Sequence, residues 1–261
     1  MLGTAIPAHA REQESKASVQ TTSPSAQFEA LRQEYSDAQD ALSKATHLLP
    51  ETEQAKYYEA HRPELDAYEK RFLALAEANP KTAVAAQALL WVLQNTSQKQ
   101  SGYEAFETLI EDHGASAETG RACLVVRYDP SGKVAELLER ARKKSTSPAV
   151  RGKATYALAH YWLLASERLE ASEAHGTRTN RADIVKRADA LFEEVTTTYA
   201  NEEFSGKRTL GDAAQAALFE MRNLAIGKVA PDIEGEDLDG VKFKLSDYRG
   251  KVLVLDFWGN W

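Results

Sequence analysis

From Gln27 to Leu224, apolar residues recur at intervals of three and four, alanine is abundant, and strand-like alternation is nearly absent. A period near 3.6 puts those residues on one side of successive helices, and such faces are buried by packing helix on helix. Phe28, Leu31, Tyr35, Ala38 and Leu42 mark a first helix, opened by Ser23-Pro24 and closed near Pro50. Tyr58, Leu65, Tyr68, Phe72, Leu75 and Ala76 mark a second, ending at Asn79-Pro80. The spacing then predicts helices over 82–95, 103–112, 117–127, 134–143, 148–171, 181–199 and 212–224.

Helices beginning near Thr82, Ser116 and Ala149 start about 34 and 33 residues apart. Similar alanine runs, Ala85-Ala86-Gln87-Ala88-Leu89 and Ala213-Ala214-Gln215-Ala216-Ala217, let two helix backbones approach closely. This stretch resembles a tetratricopeptide-type array of helix pairs, without that repeat's strict Trp, Gly and Tyr positions. The resemblance implies a surface for a protein partner.

The helical stretch shows no chemical motif. His9, His47, His61, His113, His160 and His175 form no H-x-x-x-H or H-E-x-x-H pair, so no metal site is expected. Cys123, the one cysteine of 261 residues, lies in the apolar run Ala122-Cys123-Leu124-Val125-Val126 and reads as packing rather than as a nucleophile. Tyr156, His160, Tyr161 and Trp162 sit at helical spacing and read as core before they read as a groove. The 32 Lys and Arg against 39 Asp and Glu argue against nonspecific nucleic-acid binding. The basic run Arg140, Arg142, Lys143 and Lys144 suits a helix C-terminus. No apolar stretch approaches the ~20 residues of a bilayer span.

Residues 1–25 read as a polar arm. Ala8-His9-Ala10 matches a signal-peptidase site without the basic start and apolar core of a full signal, leaving two readings: a signal-peptide remnant or a plain arm. After Leu224 the helical period stops. Pro231 blocks further helix, Asp239-Gly240 signals a hairpin turn, and Val241, Phe243 and Leu245 alternate with Lys242 and Lys244. Lys251 to Trp258, KVLVLDFW, is apolar on both faces, as in the central strand of a helix-covered parallel sheet.

The pieces Gly227-x-x-Ala230-Pro231-Asp232, Asp239-Gly240, Leu245-Ser246-Asp247-Tyr248-Arg249-Gly250-Lys251 and Val254-x-Asp256-Phe257-Trp258-x-x-Trp261 occur in this order. Together they resemble the opening of a TlpA-type redoxin of the thioredoxin-like superfamily. In that family a Cys-x-x-Cys follows directly, so the chain resembles a redoxin severed just before its nucleophile. The resemblance implies proton exchange between Asp256 and the second cysteine, where desolvation in an apolar strand raises a carboxyl's pKa. It also implies an aromatic platform at Trp258 and Trp261 for the substrate disulfide.

The expected fold class is mainly α: a tetratricopeptide-like helical-pair array at 26–224, then the truncated N-terminal part of an α/β thioredoxin-like domain at 225–261. The expected activity is thiol–disulfide oxidoreduction on a protein disulfide, needing no cofactor, in an exported, periplasmic or cell-envelope setting. The alternatives are a helical scaffold without catalysis and a peroxiredoxin-like peroxide reductase. Without its cysteine pair this stretch itself is expected to be inactive.

Overall fold

The computed structural model describes residues 23–96, 98–173, 181–225 and 228–256, the backbone alone at 169–173. The described residues form a mainly α architecture of ten α-helices and two small antiparallel sheets. The chain divides between Val125 and Val126 into two compact units.

The first unit opens with α1 (Pro24–His47), where the Ser23 hydroxyl accepts the Ala26 N–H at 3.2 Å and Pro24 occupies the first turn. The second expected helix is in fact two, α2 (Glu51–His61) and α3 (Leu65–Ala78). Pro63 explains the break: it has no N–H to donate, and it keeps Arg62 extended at φ −58°, ψ 141°. α3 turns Phe72 inward, where its ring stacks on Trp91 at 3.8 Å and meets Phe28 edge-on at 5.7 Å. Trp91 belongs to α4 (Ala83–Thr96), which packs against α3 and α5 (Gln100–Asp112) and is buried over most of its circumference. α6 (Ala117–Val126) is tied back by the buried Thr119 hydroxyl, which donates to the carbonyls of His113 at 2.8 Å and Leu109 at 3.1 Å.

In the second unit, α8 (Pro148–Glu173) packs on α7 (Gly132–Lys144) and α9 (Arg181–Thr198). The basic run lies in the last turn of α7, and Arg142 reaches Glu139 at 3.4 Å and Glu194 of α9 at 2.6 Å. α4, α6 and α8 start at residues 83, 117 and 148. A hairpin that periodicity did not announce follows α9: β1 (Glu203–Ser205) and β2 (Arg208–Thr209), turned by Gly206 at φ +60°. Thr209 then caps α10 (Leu210–Phe219), accepting the Asp212 N–H at 3.1 Å while Asp212 accepts the Thr209 N–H at 3.0 Å. α10 stops five residues short of the expected end, where Glu220–Leu224 widens into a π-helical turn.

Beyond it lie β3 (Glu234–Glu236) and β4 (Lys242–Lys244), paired antiparallel with Gly235 opposite Phe243. A 3-10 turn, Leu245–Tyr248, follows. The strand expected at 251–258 is not formed over its described part. Residues 252–256 join no ladder, and Val252 and Val254 are 97 % and 87 % exposed. A strand apolar on both faces gains its burial from neighbours on both sides, and no described strand lies beside this one. Phe257 to Trp261 lie outside the described residues, as do residues 1–22 of the N-terminal arm.

Candidate functional site

The candidate site is the segment after α10. Its hairpin is braced by three carboxylates that hydrogen-bond backbone rather than one another. Asp237 accepts the N–H groups of Asp239 and Val241, both at 2.9 Å, and its own N–H donates to the Val241 carbonyl at 3.0 Å. That closes the turn expected at Asp239-Gly240, where Gly240 takes φ +77°, a region open to glycine. Asp247 accepts the Lys244 N–H at 2.9 Å and fixes the start of the 3-10 turn.

Asp232 ties the incoming chain to that turn. It accepts the Ser246 hydroxyl at 2.7 Å and the Ser246 N–H at 2.8 Å, while the Leu245 N–H donates to the Ile233 carbonyl at 2.8 Å. The Ser246 hydroxyl and then its N–H favour the charged form, holding the Asp232 carboxyl below its usual range. The Phe243 ring covers Gly235, where an added Cβ would sit 3.1 Å from Cζ, and meets Tyr248 edge-on at 6.3 Å. Lys244 pairs with Glu234 across the strands. In the sequence Asp232 and Asp247 stood only as members of a motif, and the structure makes them braces.

Asp256 is exposed in irregular chain, and the desolvating strand expected around it is absent among the described residues. Trp258 and Trp261 lie outside the described residues, so no arrangement of the three emerges. Cys123 is fully buried in α6. Tyr156 and Tyr161 are core residues, while His160 is half-buried between Tyr128 at 5.0 Å and Tyr156 at 6.2 Å. Burial and then the charge of Arg127 hold His160 below its ordinary value. Among the described residues no group of His, Cys, Asp and Glu is placed to hold a metal ion, and no helix is long and apolar enough to cross a membrane.

The chain is similar over a short stretch to thiol-disulfide oxidoreductases named ResA. It is 45 % identical over 53 residues to that of Geobacillus thermodenitrificans, covering 20 % of this chain and 30 % of the relative. It is 50 % identical over 42 residues to that of Geobacillus kaustophilus, covering 16 % and 24 %. It is 47 % identical over 38 residues to that of Bacillus thuringiensis subsp. konkukian, covering 15 % and 22 %. The chain thus spans less than a third of these relatives' length. No protein-family model and no solved structure matches it.

Proposed function

We propose that residues 225–261 open a TlpA-type, thioredoxin-like thiol–disulfide oxidoreductase domain. In this reading 26–224 is a tetratricopeptide-like unit that engages a protein partner, 1–25 is an arm, and the protein works outside the cytoplasm. One observation carries it: motif pieces in redoxin order, from Ala230-Pro231-Asp232 to Trp261, in a chain that shares 45–50 % identity with ResA proteins over 38–53 residues.

The chemistry requires a Cys-x-x-Cys following Trp261. The first cysteine, at a helix start, is held as thiolate by the helix dipole. It attacks one sulfur of a protein disulfide resting on Trp258 and Trp261, forming a mixed disulfide, and the other substrate sulfur leaves as a thiolate and takes a proton. The second cysteine gives its proton to Asp256 and attacks the first cysteine's sulfur. The second substrate thiol departs, leaving the substrate reduced by two electrons and the protein pair oxidised.

The test is to read the coding sequence beyond Trp261 and to assay insulin reduction with and without the residues it encodes. A Cys-x-x-Cys directly downstream, turnover that depends on both cysteines, and none from residues 1–261 alone are the expected results. A downstream sequence without the pair, or turnover by residues 1–261, overturns the reading.

A further inference from the structure

In the first unit, α3, α4 and α5 leave a groove with a cavity of about 350 Å³, within the size range of ligand sites. The space exists because three facing positions are alanines, Ala76, Ala85 and Ala105, all buried. Leu73 and Leu89 make the remaining apolar wall. The mouth is acidic: Glu77 from α3 and Glu104 and Asp112 from α5 stand around it, and among the described lining residues Lys81 is the one lysine or arginine. Lys81 lies 3.9 Å from Asp112 and is 74 % exposed, a loose pair, and among the described residues no cation pairs with Glu77 or Glu104. The Glu104 carboxylate accepts an N–H of the neutral Gln100 amide at 2.9 Å. The wider surface has the same sign, since residues 23–125 hold sixteen carboxylates and nine lysines and arginines.

We infer that this groove docks a short cationic stretch of polypeptide, one apolar side chain filling the cavity and flanking lysines or arginines meeting the acidic mouth. The inference deepens the reading of the helical region as a partner-binding unit, and it names the chemistry of the partner. Spacing sets the length. Glu104 and Asp112 are eight residues apart on one helix, a rise of about 12 Å. An extended peptide covers that distance in about four residues. The fitting ligand has basic side chains four positions apart with an aliphatic one between, and complementary charge both steers and selects it.

The probe is a fluorescein-labelled heptapeptide with lysines at its second and sixth positions and leucine at its fourth, titrated against the whole chain by anisotropy. Its glutamate counterpart is the control. Binding that weakens as salt rises, and that is at least about tenfold weaker for the glutamate peptide, is expected. Glu77→Gln with Glu104→Gln should weaken binding about tenfold. Ala105→Leu should abolish it by filling the cavity at unchanged charge. Thr108→Lys, on the exposed rim, should weaken it without touching the core, so a misfolded Ala105→Leu leaves the question decidable. Equal binding of both peptides, indifference to the rim variants, equally tight binding of lysine amide alone, or self-association of the chain that the peptide displaces each overturns the inference. The probe holds no cysteine, so its failure leaves the oxidoreductase reading standing.

Discussion

Ser246 gives both its hydroxyl and its backbone N–H to the carboxylate of Asp232, fourteen residues earlier, at 2.7 and 2.8 Å. The pair fastens the chain entering β3 to the turn leaving β4. Asp232→Ala should therefore speed amide exchange at Ser246 and Leu245 at least ~3-fold while leaving the helices unaffected. A carboxyl held below its usual value contributes stability above the unfolded pKa and loses it as pH falls through the folded one. The clamp is thus intact at neutral pH and opens in acid, below about pH 4. Exchange at Ser246 that is unchanged in the variant would show that other contacts hold the turn.

Phe72 is fully buried between Trp91 and Phe28. Phe72→Ala removes the ring and leaves a cavity, a combination that costs about 3–5 kcal/mol in well-packed cores. The urea midpoint of the first unit should fall accordingly, and Phe72→Leu should recover much of it.

Gly152 on α8 faces Tyr199 and Leu210, and a Cβ there would lie 2.9 Å from Tyr199 Cβ and 2.8 Å from Leu210 Cδ1. Alanine gains about 1 kcal/mol of helix propensity over glycine, whereas overpacking costs about 1–3 kcal/mol. Leu210 can turn aside, but Tyr199 Cβ is fixed to its backbone, so the clash prevails. Gly152→Ala should lower Tm by a few degrees, and a raised Tm would mean that α8 has room to shift.

Burial, reinforced by Arg127, holds His160 below its ordinary value, and burial does the same to His113. A histidine depressed in the folded state takes up protons more readily when unfolded. Its contribution to stability is complete above about pH 6.5 and is lost as pH falls toward the folded value. The urea midpoint should drop between pH 7.5 and 5.5. His160→Phe with His113→Phe should flatten the change. The carboxylates held low by their partners, Glu34, Asp66, Asp212 and Asp232, titrate in stronger acid and leave this window clear.

Local signals with a backbone mechanism were legible in the sequence: the Ser23-Pro24 cap, the stop at Asn79-Pro80 and the turn at Asp239-Gly240 each act within a few residues. The division of the second helix at Pro63 was equally local, and the apolar spacing that runs across it hid the break. β1 and β2 are too short for alternation to show, and only Gly206 marks their turn. The segment from Val252 to Asp256 failed for another reason: its composition describes a strand's neighbours, which composition cannot supply. The groove over α3, α4 and α5 is a shape made by small side chains on three helices, and no periodicity reports which alanines face one another.

Thr209 ends β2 and caps α10, and two residues further on Gly211 leaves no room, since an added Cβ would lie 2.9 Å from the Ala200 carbonyl oxygen. The joint between hairpin and helix therefore has no spare residue. An extra amino acid inserted there would turn α10 by about 100° and swing Leu210 and Ala214 off the interior. The same insertion between Asp237 and Gly240 opens the hydrogen bonds that Asp237 makes across the turn but displaces no buried side chain, since 236–240 is exposed. The exposed hairpin loop, not the earlier joint, is where the chain can lengthen or carry a tag.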